Sequence, residues 1–206
     1  MPSGPGTATP PHLDGGVRAG PPGVLGSLIM SERDELLRQI NDKAVVRGKV
    51  TLSSGMEADY YVDLRRVTLD GEAAPLVGSV MLDNVADLEF DAVGGLTLGA
   101  DPVSTAMLHA AHARGRRLDA FVVRKAGKAH GLQRRIEGPD VKGRRVLALE
   151  DTSTTGNSVL TAVEALREAG AEVVAVALIM DRGARERVTK EGLEYRAVFE
   201  ASDLDL

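Results

Sequence analysis

The chain reads as an α/β protein in which a mainly parallel β-sheet is flanked by helices. Three observations predict this. Val146 to Leu149 and Val173 to Met180 are short, almost wholly apolar runs, as expected of strands buried on both faces. Amphipathic runs at helical spacing alternate with such strands through the second half of the chain. Finally, 43% of the 206 residues are hydrophobic, ample for one packed core.

Residues 1–29 are dense in Pro and Gly and show no periodicity, so they are expected to be a disordered tail, with Met30 a candidate second start. Residues 30–206 then form the folded part. Ser31 is a plausible N-cap, with Asp34 three residues on. Leu36, Leu37, Ile40, Ala44 and Val45 recur on one face of a first helix. Lys49 to Leu52 and Tyr60 to Leu64 read as short strands around a Ser53-Ser54-Gly55 turn. A helix over Ala73 to Leu88 follows, then a strand from Asp91 to Leu96, a helix from Pro102 to Ala113 and a strand from Asp119 to Val123. After a polar segment come the strand Arg145 to Leu149, the helix Ser158 to Ala169 stopped by Gly170, and the strand Glu172 to Met180. Residues 184–192 suggest one more short helix, and Glu194 to Phe199 a last strand.

Composition removes several function classes. A net charge of -5 argues against general nucleic-acid binding, which needs a basic surface. The absence of cysteine excludes disulfides, thiolate nucleophiles and Cys-based zinc sites, and makes a reducing cytoplasm the expected location. No apolar run is long enough to span a bilayer, and no secretory signal is expected.

The chemistry concentrates where the strand at 145–149 ends, in Glu150-Asp151-Thr152-Ser153-Thr154-Thr155-Gly156-Asn157-Ser158. Two carboxylates lead into hydroxyl residues and a glycine, and then a helix opens. Ligands in open α/β sheets bind beyond the carboxyl ends of the strands, and a helix start offers N–H groups to a phosphate. The carboxylates would repel that phosphate, so they need another partner: a ribose diol or a hydrated Mg²⁺. The plainer alternative is an ordinary strand-to-helix connection with two solvated acids. The segment lacks the P-loop pattern, and no G-x-G-x-x-G occurs in the chain.

This stretch closely resembles the phosphoribosyl pyrophosphate signature of type I phosphoribosyltransferases. The resemblance implies that family's fold, with a small N-terminal hood at about 30–70 and a core at about 71–206. It also implies that Glu150 and Asp151 face the ribose hydroxyls, while Thr152, Ser153, Thr154, Thr155, Gly156, Asn157 and Ser158 hold the 5′-phosphate.

A second segment runs Arg124-Lys125-Ala126-Gly127-Lys128-Ala129-His130-Gly131 and on to Arg134-Arg135, with five Lys or Arg side chains in twelve residues and no acid. By itself it could be a solvated basic loop or a nucleic-acid patch, although it has no aromatic residue for base stacking. Its glycines permit a mobile lid. R-K-x-x-K-x-H-G after a strand resembles the catalytic loop of orotate phosphoribosyltransferases, and the lysine-free loops described below resemble the style of their actinobacterial branch. By that resemblance Lys128, His130 and Arg124 are catalytic, and Lys125 joins them on phosphoribosyl pyrophosphate, often across a homodimer. Ser53-Ser54-Gly55 with Tyr60 to Arg65 resembles the orotate-side segment, and Thr154 and Arg182 fall at orotate-contacting positions.

The activity so implied is transfer of ribose 5-phosphate from phosphoribosyl pyrophosphate to orotate, giving orotidine 5′-phosphate in de novo pyrimidine biosynthesis. Mg²⁺ would be held mainly through phosphoribosyl pyrophosphate and not by a protein metal site; no nucleic-acid or membrane partner is implied. Two departures stand out. The lysine that members carry before Ser-Gly is replaced by Leu52 and Ser53, and Gly95 to Asp101 has no lysine for pyrophosphate. Contacts in that second loop would then come mainly from backbone N–H groups. A phosphoribosyltransferase for another base, or a nucleotide-sensing regulator on the same fold, is the alternative. His109 and His112, at i and i+3 without a third ligand, are expected to be structural or surface residues.

Overall fold

The computed structural model describes residues 30–51, 57–125 and 135–206. The tail 1–29, the Ser53-Ser54-Gly55 turn, and Lys128, His130 and the remainder of 126–134 lie outside the described residues. Helix α1 (Glu32–Lys43) starts where expected, with the Ser31 hydroxyl accepting from the Asp34 N–H at 3.1 Å. Strands β1 (Val45–Thr51) and β2 (Glu57–Val62) form a separate antiparallel ribbon. Val45 is a correction: it leaves the helical face and pairs with Val62, a pairing that suits its β-branched side chain. The short helix α2 (Arg65–Thr68) was not foreseen, and α3 (Ala73–Asn84) stops four residues earlier than its apolar pattern suggested.

The main sheet has the order β5-β4-β3-β6-β7-β8, from β3 (Ala92–Leu96), β4 (Asp119–Val123), β5 (Ile136–Glu137), β6 (Arg145–Ser153), β7 (Glu172–Asp181) and β8 (Tyr195–Glu200). All its pairings are parallel except that of the two-residue β5 with β4. Helices α4 (Ala100–Ala113), α5 (Asn157–Glu168) and α6 (Arg185–Thr189) complete the layers. β6 runs four residues beyond its expected end because β7 continues beside it, pairing Ser153 with Asp181. That extension carries Glu150 and Asp151 inside the strand instead of after it.

Alternate residues of β6 feed opposite cores, as the two-residue period of a strand requires. Leu147 and Leu149 join Leu36, Ile40, Val77 and Met107 on the side of α1, α3 and α4. Val146 and Ala148 join Val159, Val163 and Leu166 on the side of α5. Gly94 and Gly95 in β3 leave room for neighbours: a Cβ on either would strike the backbone of Phe121 or Leu149. No helix among the described residues is long and apolar enough to cross a membrane.

Candidate active site

A cleft of about 300 Å³ opens at the carboxyl ends of the parallel strands, where open α/β sheets bind ligands. Its walls come from four places: Tyr61 to Arg65 after the β1–β2 ribbon, Leu96 to Gly99 after β3, Lys125 after β4, and Glu150, Asp151, Thr152 and Ser158 around the end of β6. A larger hollow of about 780 Å³ lies along α3 and α4, but it is lined chiefly by apolar groups such as Pro75, Pro102, Ala106 and Ala110. We assign the chemistry to the smaller cleft because it lies at the strand ends and holds the paired carboxyl groups of Glu150 and Asp151 with Lys125 and Arg65.

The acidic pair dominates the cleft. Glu150 is only 6% exposed, and one of its carboxylate oxygens accepts from the Asp151 N–H at 3.2 Å. Asp151 is half-buried and accepts from the Thr152 N–H at 2.7 Å. Burial, with Asp151 adjacent, pushes Glu150 from 4.5 up to about 8. Burial also raises Asp151, while the Thr152 N–H, and more weakly the Arg65 charge, pull it back. The site thus holds carboxyl groups that are poorly solvated and ready for hydroxyl or cationic partners.

After Ser153 the chain turns through Gly156, whose φ of +77° is a conformation that favours glycine. The buried Ser153 hydroxyl accepts from the Gly156 N–H at 3.1 Å and closes this turn. Helix α5 then starts with no side-chain cap and no acidic residue in its first turn, so its N-terminus is open to an anion. Thr154, Thr155, Asn157 and Ser158 are exposed around that start. The Thr152 hydroxyl is buried without a hydrogen-bond partner among the described residues.

The other expected residues are spread more widely. Lys125 is exposed and lines the cleft, whereas the neighbouring Arg124 guanidinium reaches back to Glu137 at 3.3 Å. The Arg124 N–H also donates to the Arg135 carbonyl at 2.7 Å, so the two ends of the basic loop are pinned together beside β4 and β5. Arg182 follows β7; its N–H donates to the Ser153 carbonyl at 2.8 Å, and its guanidinium lies 5.6 Å from the Tyr60 ring centre. Neither Arg182 nor Thr154 to Asn157 lines the cleft itself. His109 and His112 are exposed on α4, and no group of three or more potential metal ligands occurs among the described residues.

Two cleft residues entered the sequence reading only as members of longer stretches, Gly99 in the lysine-free loop and Arg65 in the stretch resembling the orotate-side segment. Gly99 sits against both carboxylates: a Cβ there would fall 2.6 Å from an oxygen of Glu150 and of Asp151. Its φ of -61° is open to any residue, so glycine is needed for space and not for backbone freedom. Arg65 enters the cleft from α2, with Nε donating to Asp63 at 2.7 Å. The only sequence signals were a glycine in a loop and a basic residue after Tyr-Val-Asp-Leu.

Residues 88–197 match the model of the phosphoribosyl transferase domain. Over 177 residues the chain is 73% identical to the orotate phosphoribosyltransferase of Streptomyces avermitilis, covering 84% of this chain and 97% of that protein. It is 58% identical over 182 residues to the orotate phosphoribosyltransferase of Corynebacterium glutamicum, covering 87% of this chain and 97% of that protein. Among solved structures it resembles Mycobacterium tuberculosis orotate phosphoribosyltransferase in complex with 5-phospho-alpha-D-ribosyl 1-diphosphate. That likeness has a TM-score of 0.75 and 52% identity, over 85% of this chain and 100% of the other. With the acidic pair, the open helix start and the surrounding parallel sheet in place, the chain belongs to the orotate phosphoribosyltransferases.

Proposed function

We propose that the enzyme transfers the ribose 5-phosphate unit of phosphoribosyl pyrophosphate to a ring nitrogen of orotate, with its residues dividing the work as follows. Glu150 and Asp151 take the ribose hydroxyls. The turn from Thr152 to Ser158 and the start of α5 hold the 5′-phosphate. Arg182 and Thr154 face orotate, and Lys125, Lys128, His130 and Arg124 close over the pyrophosphate. Residues 30–206 act as one phosphoribosyltransferase domain behind the tail. The observation that carries this reading is the carboxyl pair near the end of β6, Glu150 buried and Asp151 half-buried, shortly before an uncapped helix start.

The bond from C1′ to pyrophosphate breaks as the bond from C1′ to the orotate nitrogen forms. Negative charge grows on the leaving group and positive charge on the sugar. Catalysis therefore rests on positioning and electrostatic stabilisation, without a covalent nucleophile. On this reading the carboxyl groups of the cleft hydrogen-bond the ribose hydroxyls and so hold the sugar in place while C1′ becomes cationic. By the family resemblance the cations of the loop serve the pyrophosphate, to which Lys128 or His130 would donate a proton. Mg²⁺, held mainly through phosphoribosyl pyrophosphate, would supply neutralising charge to the phosphate oxygens, and Glu150 and Asp151 are the oxygen donors of the cleft that would face it.

A homodimer sharing the basic loop accords with the apolar hollow beside the cleft, where Leu69 and Leu98 are largely exposed. The activity is tested by mixing the purified protein with phosphoribosyl pyrophosphate, Mg²⁺ and orotate and following orotate absorbance. A fall that requires all three components supports the reading. No fall with orotate, but turnover with a purine base, would replace it with a different phosphoribosyltransferase.

A further inference from the structure

We infer that Arg65 is a binding residue for the pyrophosphate end of phosphoribosyl pyrophosphate, supplying the cation that the loop after β3 lacks. This rests on the substrate reading above and assigns Arg65, the last residue of the stretch that resembles the orotate-side segment, to the pyrophosphate end instead. Leu96 to Gly99 forms one wall of the cleft and contains no basic side chain. A pyrophosphate lying against that wall would meet backbone N–H groups alone unless a cation reached it from elsewhere. Arg65 does so from α2, lining the same cleft as Lys125 at the end of β4.

Its position along the cleft fits this end of the substrate. Arg65 and Leu98 also line the neighbouring apolar hollow, together with Asp101, so Arg65 stands at the Leu98 side. Ser158 and Thr152, which belong to the phosphate turn, do not reach that hollow. Asp151 lines the same cleft, near enough to Arg65 for the two charges to influence each other.

The guanidinium is held and still available. Its Nε donates to Asp63, and the same Asp63 oxygen accepts from the Arg65 N–H at 3.2 Å. Among the described residues, Nη1 and Nη2 have no hydrogen-bond partner, and the side chain is 44% exposed. A planar fork anchored through Nε presents its two outer nitrogens together, an arrangement suited to phosphate oxygens.

The neighbouring Arg66 provides an internal control, since it is exposed, lines neither cavity and carries the same charge. Magnesium pyrophosphate binding would be titrated by calorimetry, and the Michaelis constants for both substrates measured, in the wild type, Arg65→Gln, Arg65→Lys and Arg66→Gln. The expected result is pyrophosphate binding weakened about tenfold or more in Arg65→Gln, with a matching rise in KM for phosphoribosyl pyrophosphate. Arg65→Lys should recover part of the loss, and KM for orotate should hardly move. Arg66→Gln should stay within about twofold of wild type, as expected for an exposed charge. Unchanged pyrophosphate binding in a folded Arg65→Gln protein would overturn the inference. So would equal losses in Arg65→Gln and Arg66→Gln, which would point to net charge, or equal losses for both substrates, which would point to a disturbed fold. If the wild type itself binds neither pyrophosphate nor phosphoribosyl pyrophosphate, the substrate reading fails first.

Discussion

Gly99 faces Asp151 so closely that a methyl group on its α-carbon would fall 2.6 Å from the carboxylate oxygen. The loop after β3 and the end of β6 are thus fitted to each other, and the acids can move toward that loop only by displacing it.

Gly99→Ala should therefore disturb the cleft without strain in its own backbone, whose dihedrals suit alanine. The added methyl would push the Glu150 and Asp151 carboxyl groups off the ribose. We expect kcat/KM for phosphoribosyl pyrophosphate to fall about 10- to 100-fold, as a small misplacement of positioning groups can do. Steady-state kinetics with a melting curve checks this, and wild-type kinetics in the variant would remove Gly99 from the site.

The acidic pair predicts a pH effect on stability. Burial and the neighbouring Asp151 raise Glu150 from 4.5 to about 8, with the Asp101 charge adding to the rise. The folded chain then keeps a proton that the unfolded chain releases, so this contribution is complete below the unfolded value and is lost as pH rises to about 8. Across that interval the melting temperature of the ligand-free enzyme should fall more steeply than that of Glu150→Gln. Parallel curves for the two proteins would show that Glu150 titrates normally.

Arg182 depends on the turn beneath it. The Asp181 carboxylate, 3% exposed, accepts from the N–H groups of Gly183 at 3.0 Å and Ala184 at 2.8 Å. Asp181→Ala would leave both donors without that partner and cost about 2 kcal/mol, or roughly 4–8 °C in melting temperature for a chain of this size. KM for orotate should rise as Arg182 loses its footing, and calorimetry with orotate kinetics would detect both changes. A variant that melts earlier yet binds orotate normally would separate the turn from the substrate.

The basic loop invites a subunit-mixing experiment. Lys128→Ala and Asp151→Ala proteins, each inactive, are mixed and allowed to exchange chains. Regained activity is expected, because a mixed dimer would own one site made from two intact halves. Activity that stays at the level of the separate variants despite proven exchange means that the loop serves its own subunit.

Much of the site was legible because its signal is local. The run from Val146 to Ser158 shows its strand, its acids and its helix start within thirteen consecutive residues, and the structure keeps that order. The limits of β1, by contrast, depend on a partner: Val45 fits a helical face equally well until Val62 pairs with it. β5 is two residues long and has no periodicity to read. Gly99 and Arg65 meet the acidic pair across about fifty to ninety positions of chain, and nothing in their own neighbourhoods announces the acids that they meet.

Strand β3 lies between β4 and β6, both of which follow it in the chain. Since synthesis runs from the N-terminus, β3 leaves the ribosome before either neighbour exists. An apolar strand waiting without partners is the kind of segment that pairs with the wrong chain. Gly94 and Gly95, whose bareness lets β4 and β6 close on either side, also weaken any tendency of the segment to extend alone. The missing side chains that make the finished sheet fit therefore keep the nascent strand uncommitted until its partners have been made.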